Sequence, residues 1–524
     1  MFLRNNKGGV FLKKGLFIKN GMIMSASSLI IRALSLFSGV YLSGRIGTAG
    51  LGLYSLIVSV YLFFASVISS GATLVCTRLT SEYISSGNNA RARYSATRCI
   101  IFTMLFSGTV SVLCFVFGDN IASGFLGDMR CASPIKILSF SLPFLAFSSC
   151  IRGYFTAKRQ SIQSCSEQIL EMITEIGVFV LLFETAKPST LETGCICIVT
   201  GTLFAEIISF IYMLLLFLPD IRRLSRDSEK APGLFSASMR IALPASGNAM
   251  LRTGLSAVEN VLIPSGLSAF GAGAVALSQY GIITAQTLPV LTFPAVFIQP
   301  FAQLIIPEMA EANVRRDKKS IKRMTEKMLS YTLRYSIPVM VCCIFFAVPV
   351  CRLLYGNDEA GIYLSRLAPV IPFMYIDSVA DGMLKGLDRQ TSYLVFNLID
   401  SVIRVILTYL LLPVFGINGE IAVIIISELL NTSMSVIKLI RVTEIELGIF
   451  KNIVLPIIEI VVPCIVSRLL FSSLRGELWD ICRLLLCIGC YVLFELRKKP
   501  FVSQKKKDSP DVKKLRLPTV IRLP

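Results

Sequence analysis

The sequence predicts an all-α, polytopic membrane protein with about 14 transmembrane helices, and three observations lead to this fold class. The 524 residues are 54% hydrophobic and only 16% charged, with a mean hydropathy of +0.69, whereas soluble domains are about 25% charged. The apolar residues gather in stretches near the roughly 20 residues that a helix needs to cross the hydrocarbon core. The spans also form a parallel repeat of two six-helix lobes, followed by two C-terminal helices. The predicted spans are residues 22–43, 53–75, 97–118, 134–155, 168–184, 194–218, 237–263, 275–299, 331–351, 364–385, 391–412, 418–440, 450–471 and 478–496.

These spans divide the chain into six predicted parts. Each part is defined by its apolar spans or by the polar residues that separate them. The N-terminal segment is basic and partly apolar, and we expect it to stay uncleaved and to lie at the cytoplasmic membrane surface. The parts are the basic N-terminal segment 1–21, the N-lobe 22–218, a cytoplasmic linker 219–236, the C-lobe 237–440, spans thirteen and fourteen in 441–496, and a basic, disordered cytoplasmic tail 497–524.

The positive charges indicate how the chain is oriented. The 52 Lys and Arg residues are concentrated in the two tails and in alternate connections between spans, which is the positive-inside pattern of membrane proteins. We therefore predict a multi-pass membrane protein with both termini in the cytoplasm, and we expect it to be a monomer. The formal net charge of +19 indicates contact with anionic membrane lipids rather than with nucleic acid.

An internal repeat relates the two predicted lobes. Arg32 is followed by YLSGRIGTAGLGLYS, and Arg252 is followed by VLIPSGLSAFGAGAVALSQYG. Each lobe thus opens with an Arg-bearing span, then a Gly-rich turn, then a span entered through a tyrosine (Tyr54 and Tyr280). Parallel repeats of this kind build transporters whose binding site lies between the halves near the membrane midplane.

The composition excludes several kinds of chemistry. The sequence contains no histidine, which removes His-based acid–base catalysis and His-containing metal sites. The 15 cysteines lie mostly within spans and are typical of small apolar packing residues rather than of a disulfide framework. We therefore predict that the protein is not an enzyme and holds no metal or cofactor, and we leave a coupling ion, Na⁺ or H⁺, open.

Two arginines lie in the middle of apolar spans without an acid nearby on the same helix. Arg32 and Arg252 have no Asp or Glu three or four residues away, and an arginine at the centre of a spanning helix costs roughly 2.5–3.5 kcal/mol on insertion scales. We predict that both face one cavity and bind an anionic, lipid-linked substrate, because a guanidinium matches phosphate geometry. The alternative is an ion pair with Glu171, Glu175 or Glu259 of another helix.

Other charged residues at membrane depth have less specific interpretations. Arg404 lies four residues after Asp400, so we expect a local ion pair, although substrate binding is also considered for it. Glu171 and Glu175 share one helix face, and two like charges there favour a coupling proton or a pair with a cavity arginine. Glu259 lies two turns after Arg252 on the same face and is a further candidate cavity acid, for gating or pairing.

Prolines lie in or at the ends of several spans. Proline kinks a helix, and neighbouring helices can satisfy the backbone groups that it frees. The pattern predicts either the broken helices of a transporter that must bend or ordinary helix curvature. The residues are Pro244, Pro289, Pro294, Pro300 and Pro338.

Several stretches together resemble a known family. The order and spacing of these stretches are similar to those of the stage V sporulation protein B and polysaccharide-transporter branch of the multidrug/oligosaccharidyl-lipid/polysaccharide flippase superfamily, over about residues 16–496. The stretches are RGYF at 152–155, SEQILE at 166–171, IALP at 241–244, QYGIITAQTLPVLTFP at 279–294, IIPEMAEA at 305–312 and FGINGEIA at 415–422.

The resemblance implies two six-helix lobes, alternating access without ATP hydrolysis, and an undecaprenyl-diphosphate-linked sugar such as lipid II as cargo. In related lipid II flippases an arginine of the first span contacts the diphosphate, and Arg32 matches that kind of position. The sequence departs from the family at one position. The resemblance leads us to expect a basic residue one turn after the glutamate of span five, but this chain has Glu175 there.

From this resemblance we predict a flippase of the bacterial plasma membrane for a lipid-linked cell-wall precursor or polysaccharide repeat unit, serving spore cortex peptidoglycan synthesis. A cation-coupled multidrug exporter of the same fold is the first alternative, and the mid-span arginines argue against it. A membrane glycan polymerase or ligase is the second, and the short outside connections and absent histidine argue against that.

Overall fold

The computed structural model describes residues 7–224, 233–445, 450–470 and 476–497. These residues are almost entirely helical and contain no strand, as the sequence predicts. Part of the predicted N-terminal segment (1–6), the centre of the predicted linker (225–232) and the predicted disordered tail from residue 498 onward lie outside the described residues.

The first half of the chain forms seven helices and two short helical turns. The longest helix, α1, begins at Lys7, before the first predicted span, and is broken at Gly47 (φ 66°, ψ −178°) between predicted spans 22–43 and 53–75. A bend of 49° separates α4 from α5. The helices are α1 (Lys7–Ser85), α2 (Asn89–Val116), α3 (Gly118–Asn120), α4 (Ala132–Ser139), α5 (Leu142–Ala157), α6 (Ser161–Ala186) and α7 (Leu191–Leu224).

The second half begins with a long helix and continues into an irregular one. Residues 268–298 alternate between α-, π- and 3₁₀-helical turns, and Pro289 and Pro294 lie at the starts of two of these pieces. By contrast, α12 continues through Pro338. The helices are α8 (Leu234–Leu267), α9 (Ala276–Gly281), α10 (Leu288–Thr292), α11 (Gln299–Val314), α12 (Lys318–Tyr355), α13 (Asp358–Leu367), α14 (Ile371–Gly386), α15 (Gln390–Phe415), α16 (Ile417–Thr443), α17 (Leu455–Leu470) and α18 (Glu477–Arg497).

Each predicted span is helical over most of its described length, with short turns at residues 117, 140–141 and 298. Within the described ranges, eight helical segments are long and apolar enough to cross a membrane, or nine if the bent pair Met129–Ser139 and Leu142–Ala157 is one span. The membrane class is therefore confirmed, whereas the number of fourteen spans stays a prediction.

Three apolar clusters connect these helices. One joins α1 to both halves, because Leu53 and Ile57 pack in the same cluster as Tyr280 and Leu412. A second fills the C-terminal half around α14. In a third, Phe346 of α12 packs with residues of α17 and α18. The last two helices are thus attached to the outside of the second half through α12.

The two halves approach closely where α1 turns at Gly47. Thr48 and Ser278 share a hydroxyl–hydroxyl hydrogen bond of 2.6 Å, and Gln286 Nε2 donates to Ser43 Oγ at 2.7 Å. Gly281 lies against the backbone of Thr48, so that a Cβ there would overlap the Thr48 carbonyl oxygen. Glycine at this position lets two backbones touch, which closes this end of the interface between the halves.

We expect Gly281→Ala to lower the thermal stability of the purified protein in detergent. The added methyl must push the halves apart, and overpacking of this kind costs about 1–3 kcal/mol. Gly44→Ala is the matched control, because a Cβ at Gly44 has no neighbour within 4 Å and alanine favours the helix. An equal Tm for the two variants would show that the backbones do not touch.

Candidate functional site

Arg32 lies on α1 and lines a cavity between the two halves. The cavity has a volume of about 220 Å³. One wall comes from α1 and the other from the irregular segment 268–298, so each half of the chain contributes to it. The lining residues are Arg32, Ser35, Leu36, Thr284, Leu288, Pro289, Thr292 and Phe293.

The Arg32 guanidinium makes a neutral contact rather than an ion pair. Its Nη2 donates to Thr292 Oγ1 at 2.7 Å, and no carboxylate of the described residues forms a salt bridge with it. The Thr292 hydroxyl in turn donates to the backbone oxygen of Leu288. The guanidinium is therefore held in place by one hydroxyl and keeps most of its donors for another acceptor, since arginine has five N–H groups.

Arg252 lies elsewhere on the surface of α8. It is exposed and is not among the residues that line the Arg32 cavity. Helix α8 packs along α1, where Thr253 and Ser66 share a hydrogen bond of 2.8 Å. The structure thus puts the two predicted arginines on neighbouring helices but brings only Arg32 into this cavity.

The prediction of a local ion pair between Arg404 and Asp400 is wrong. Arg404 binds Glu259 of α8 instead, with Nε and Nη2 at 2.8 and 2.7 Å from the same carboxylate oxygen. Asp400 accepts a hydrogen bond from Ser427 of α16. The helix-spacing rule identifies side chains that can meet on one helix, whereas here both side chains find partners on neighbouring helices. Glu259 consequently does not pair with Arg32 or Arg252.

The predicted acid Glu171 belongs to a buried charged cluster in the first half. Arg152 Nη1 lies 3.2 Å from each carboxylate oxygen of Glu167 and 3.7 Å from Glu171 Oε2. Glu167 is fully buried and also accepts from Ser209 Oγ at 2.5 Å. One guanidinium thus serves two carboxylates from adjacent turns of α6.

Two further glutamates lie beside this cluster and form no ion pair with any residue that the structure describes. Glu175 accepts from Thr202 Oγ1 at 2.8 Å. Glu206 is 3% exposed; one of its oxygens is 3.4 Å from the Tyr61 hydroxyl, and the other has no hydrogen-bond partner. The predicted acids Glu171 and Glu175 therefore separate, one to Arg152 and the other to a threonine.

Sequence reasoning missed Arg152, Glu167 and Glu206 as members of this cluster. Arg152 lies near the end of its predicted span, so it looks like an ordinary basic residue of the connection between two spans. Glu206 stands near the middle of the predicted span 194–218, and an acid at membrane depth is itself a signal of a polar site. Glu167 is one turn from Glu171, so the same face of α6 could have indicated it.

The cysteines are mostly buried. None of the 15 forms a disulfide. Over the described ranges, no three or more Cys, Asp or Glu side chains are grouped so that they could hold a metal ion.

The apolar helices and the cavity between two halves define a multi-pass membrane transporter. The chain belongs to the polysaccharide biosynthesis protein family, which it matches over residues 17–313. It also matches the MatE family over residues 273–410. The predicted membership of the multidrug/oligosaccharidyl-lipid/polysaccharide flippase superfamily is thereby confirmed.

Relatives from Bacillus subtilis (strain 168) cover most of the chain. Stage V sporulation protein B is 21% identical over 84% of this chain and 86% of its own length. Sporulation protein YkvU is 21% identical over 75% and 88%. The lipid II flippase MurJ is 19% identical over 77% and 79%. The relatives whose names state an activity are flippases or transporters and not enzymes.

Solved structures share the fold. A lipid II flippase MurJ in an inward closed conformation has a TM-score of 0.68, with 16% identity, over 90% of this chain and 98% of that chain. An inward-facing multidrug resistance MATE family transporter has a TM-score of 0.65, with 13% identity, over 82% and 98%. These similarities establish the two-lobed transporter architecture.

We expect Glu259→Gln to destabilise the protein by roughly 3 kcal/mol. Breaking a buried ion pair leaves one charge uncompensated and costs about 3–5 kcal/mol. The Arg404 side chain is 29% exposed and that of Glu259 is 8% exposed. Because water can reach Arg404, we expect a loss of stability at the lower end of that range. Adding Arg404→Gln should restore most of the loss in a double-mutant cycle that is followed by thermal unfolding in detergent.

Asp400→Asn is the matched control for this cycle. It removes the carboxylate that the helix spacing favours and leaves the Glu259 pair in place. A larger loss from Asp400→Asn than from Glu259→Gln would contradict the inter-helix pair.

Proposed function

We propose that the protein moves an undecaprenyl-diphosphate-linked glycan of the lipid II type across the bacterial plasma membrane by alternating access. The proposal rests on Arg32. Its guanidinium lies at membrane depth in a cavity between the two halves, and it is bonded to a hydroxyl and not to a carboxylate. Family membership supports a flippase or transporter in general, and the cargo is our inference.

A diphosphate suits this position chemically. Arginine and phosphate carry opposite charges and can form two parallel N–H···O bonds, whereas the uncharged Thr292 hydroxyl accepts one bond from Arg32. A diphosphate could therefore replace the Thr292 hydroxyl as the partner of Arg32 at little cost. A resident carboxylate would instead have to be displaced at the cost of an uncompensated charge.

The size of the cavity supports a cycle in which the halves separate. Its volume of about 220 Å³ is below the roughly 300–1,000 Å³ of ligand pockets. A glycan headgroup would enter only after the two walls of the cavity move apart. In this proposal the polyprenyl chain stays in the lipid throughout.

The other two arginines have different places in the proposal. Arg252 is exposed on α8 and has no described ion pair or hydrogen bond, so we retain it as a second contact for the headgroup when the halves separate. Arg404 is engaged by Glu259, so we assign it to the structure of the C-lobe and not to the substrate.

The coupling role of the predicted acids remains part of the proposal. Glu171 supports it, since Glu167 and Glu171 share the single guanidinium of Arg152 and the excess negative charge has to be neutralised by a proton or a cation. Glu175 and Glu259 already have partners, a threonine and an arginine, and support the role less.

We further propose that the cargo serves spore cortex peptidoglycan synthesis. Two of the relatives from Bacillus subtilis are sporulation proteins. The alternative is a cation-coupled drug exporter, which the match to the MatE family over 273–410 favours. A cationic drug would be repelled by Arg32, so the charge of the transported molecule distinguishes the two functions.

We expect Arg32→Ala to weaken binding of lipid II to the purified full-length protein by about 10- to 100-fold. Hydrogen bonds to charged groups contribute about 1.5–3 kcal/mol, which corresponds to that range. Arg32→Lys should give an intermediate affinity, because it keeps the charge but loses the fork of donors. Arg252→Ala should have a smaller effect.

Arg45→Ala is the matched control on the same helix, because Arg45 pairs with Glu184 on an exposed surface. Expression of each variant in a bacterium depleted of its own lipid II flippases provides the functional readout. Wild-type protein that neither binds lipid II nor restores growth would eliminate the proposed cargo, and unchanged binding by Arg32→Ala would eliminate the diphosphate contact.

The orientation of the chain gives a separate prediction. With both termini in the cytoplasm, a green fluorescent protein fused after Pro524 should fluoresce, and an alkaline phosphatase fused there should be inactive. Fusions placed at Lys187, in a predicted outside connection, should show the opposite pattern. Active phosphatase at the C-terminus would reverse the predicted topology.

A further inference from the structure

The first turns of α12 carry a row of basic side chains on one side of the helix. Lys319, Arg323 and Lys327 follow one another at four-residue spacing, and Tyr331 continues the row. Residues four apart in a helix are neighbours on its surface. All four side chains are exposed. We call these four residues the α12 stripe.

The other side of the same turns is fixed by packing. Ile321, Thr325 and Leu329 are buried, and Ile321 and Leu329 belong to the apolar cluster around α14. The α12 stripe therefore points away from the interior of the protein and is available to a partner outside it.

The positive charges of the α12 stripe are not neutralised by the protein. None of its three basic side chains forms an ion pair with a residue that the structure describes. The Lys327 amine lies over the Tyr331 ring, 5.6 Å from the centroid. By contrast, Lys322 of the same turns lies 4.0 Å from Glu326. The stripe thus offers three cations to an anionic partner.

The length of α12 places the stripe beside the lipid headgroups. The helix has 38 residues and is about 57 Å long, whereas the hydrocarbon core is about 30 Å thick. Its apolar part is the predicted span 331–351, and in the predicted orientation the basic residues precede this span on the cytoplasmic side. Tyrosine is typical of the boundary between lipid and water. Counted from Tyr331, the Cα atoms of Lys327, Arg323 and Lys319 lie about 6, 12 and 18 Å along the helix axis.

We propose that the α12 stripe binds the headgroup of an anionic phospholipid, such as phosphatidylglycerol, in the cytoplasmic leaflet. The negative surface potential of that leaflet attracts Lys and Arg close to the membrane. The attraction decreases over a Debye length of about 8–10 Å, so Lys327 contributes most and Lys319 least. An acidic protein in the cytoplasm would produce the opposite order, because Lys319 lies farthest from the membrane.

The phospholipid site is separate from the Arg32 cavity. No residue of the α12 stripe lines that cavity. One turn after Tyr331, Tyr335 is partly buried and donates to the Pro294 backbone oxygen at 2.8 Å, so the exposed stripe ends before the cavity wall. Binding of the phospholipid therefore does not depend on the proposed cargo. It would hold the cytoplasmic end of α12 at the membrane surface.

The test measures which lipid lies next to the stripe. Tyr331→Trp introduces a local fluorophore, and Trp479→Phe removes the single native tryptophan. The full-length protein is placed in bilayers that contain phosphatidylglycerol and phosphatidylcholine, one of them brominated on its acyl chains so that it quenches nearby tryptophan. We expect brominated phosphatidylglycerol to quench more than an equal amount of brominated phosphatidylcholine. The difference should shrink as NaCl is raised.

In this reporter protein, Lys327→Gln should lower the preference for phosphatidylglycerol about fivefold. Arg323→Gln should lower it less, and Lys319→Gln least. Lys322→Gln is the matched control, because it removes the same charge from the same turns but from a side chain that Glu326 already offsets. It should leave the preference nearly unchanged.

Three results would overturn the site. They are equal quenching by the two lipids before any charge is removed, a preference that persists without all three basic side chains, and a largest loss from Lys319→Gln. Displacement of brominated phosphatidylglycerol by added lipid II would also overturn it, because the stripe would then bind the cargo. Arg32→Ala should not change the preference, which separates this test from that of the Arg32 proposal.

Discussion

The structure depends on how ionised side chains are neutralised inside apolar helices. A charge in hydrocarbon costs several kcal/mol unless it is paired, and two arginines at this depth are paired across helices. Arg152 binds Glu167, and Arg404 binds Glu259. Arg32 differs because its partner is the hydroxyl of Thr292. At Arg32, a guanidinium without a carboxylate partner coincides with a cavity between the halves.

The distribution of ion pairs also indicates which parts of the molecule can move as units. Both ion pairs connect helices within one half. Among the described residues no ion pair joins the two halves. Thr48–Ser278 and Ser66–Thr253 are bonds between uncharged hydroxyls, and Arg32 binds the hydroxyl of Thr292. A neutral hydrogen bond contributes about 0.5–1.5 kcal/mol, and one to a charged group about 1.5–3 kcal/mol. The interface is thus easier to separate than the interior of either half, which is what alternating access requires.

Hydropathy and charge predicted the membrane fold. The prolines left broken and merely curved helices open, and the structure is irregular near Pro289 and Pro294 but continuous through Pro338. Neither hydropathy nor charge pointed to the hydroxyl of Thr292 as the partner of Arg32. They could not predict the partner of Arg404. The sequence shows that Asp400 lies one turn before Arg404 on the same helix, but it does not show that Glu259 of α8 faces Arg404. The hydrogen bond from Asn431 of α16 to Asp377 of α14 was missed for the same reason. Both residues are evident in the sequence, yet only helix packing brings them together.

The contact between Arg32 and Thr292 also bears on how a cargo would leave. Thr292 donates its own hydrogen bond to the Leu288 backbone oxygen, so its hydroxyl would stay in place when Arg32 turns to a diphosphate. After the diphosphate leaves, Arg32 would regain this hydroxyl and would not remain at membrane depth without a partner. Because the hydroxyl carries no charge, this contact would compete only weakly with a diphosphate. The same hydrogen bond can therefore hold Arg32 in position between transport cycles without blocking the next cargo.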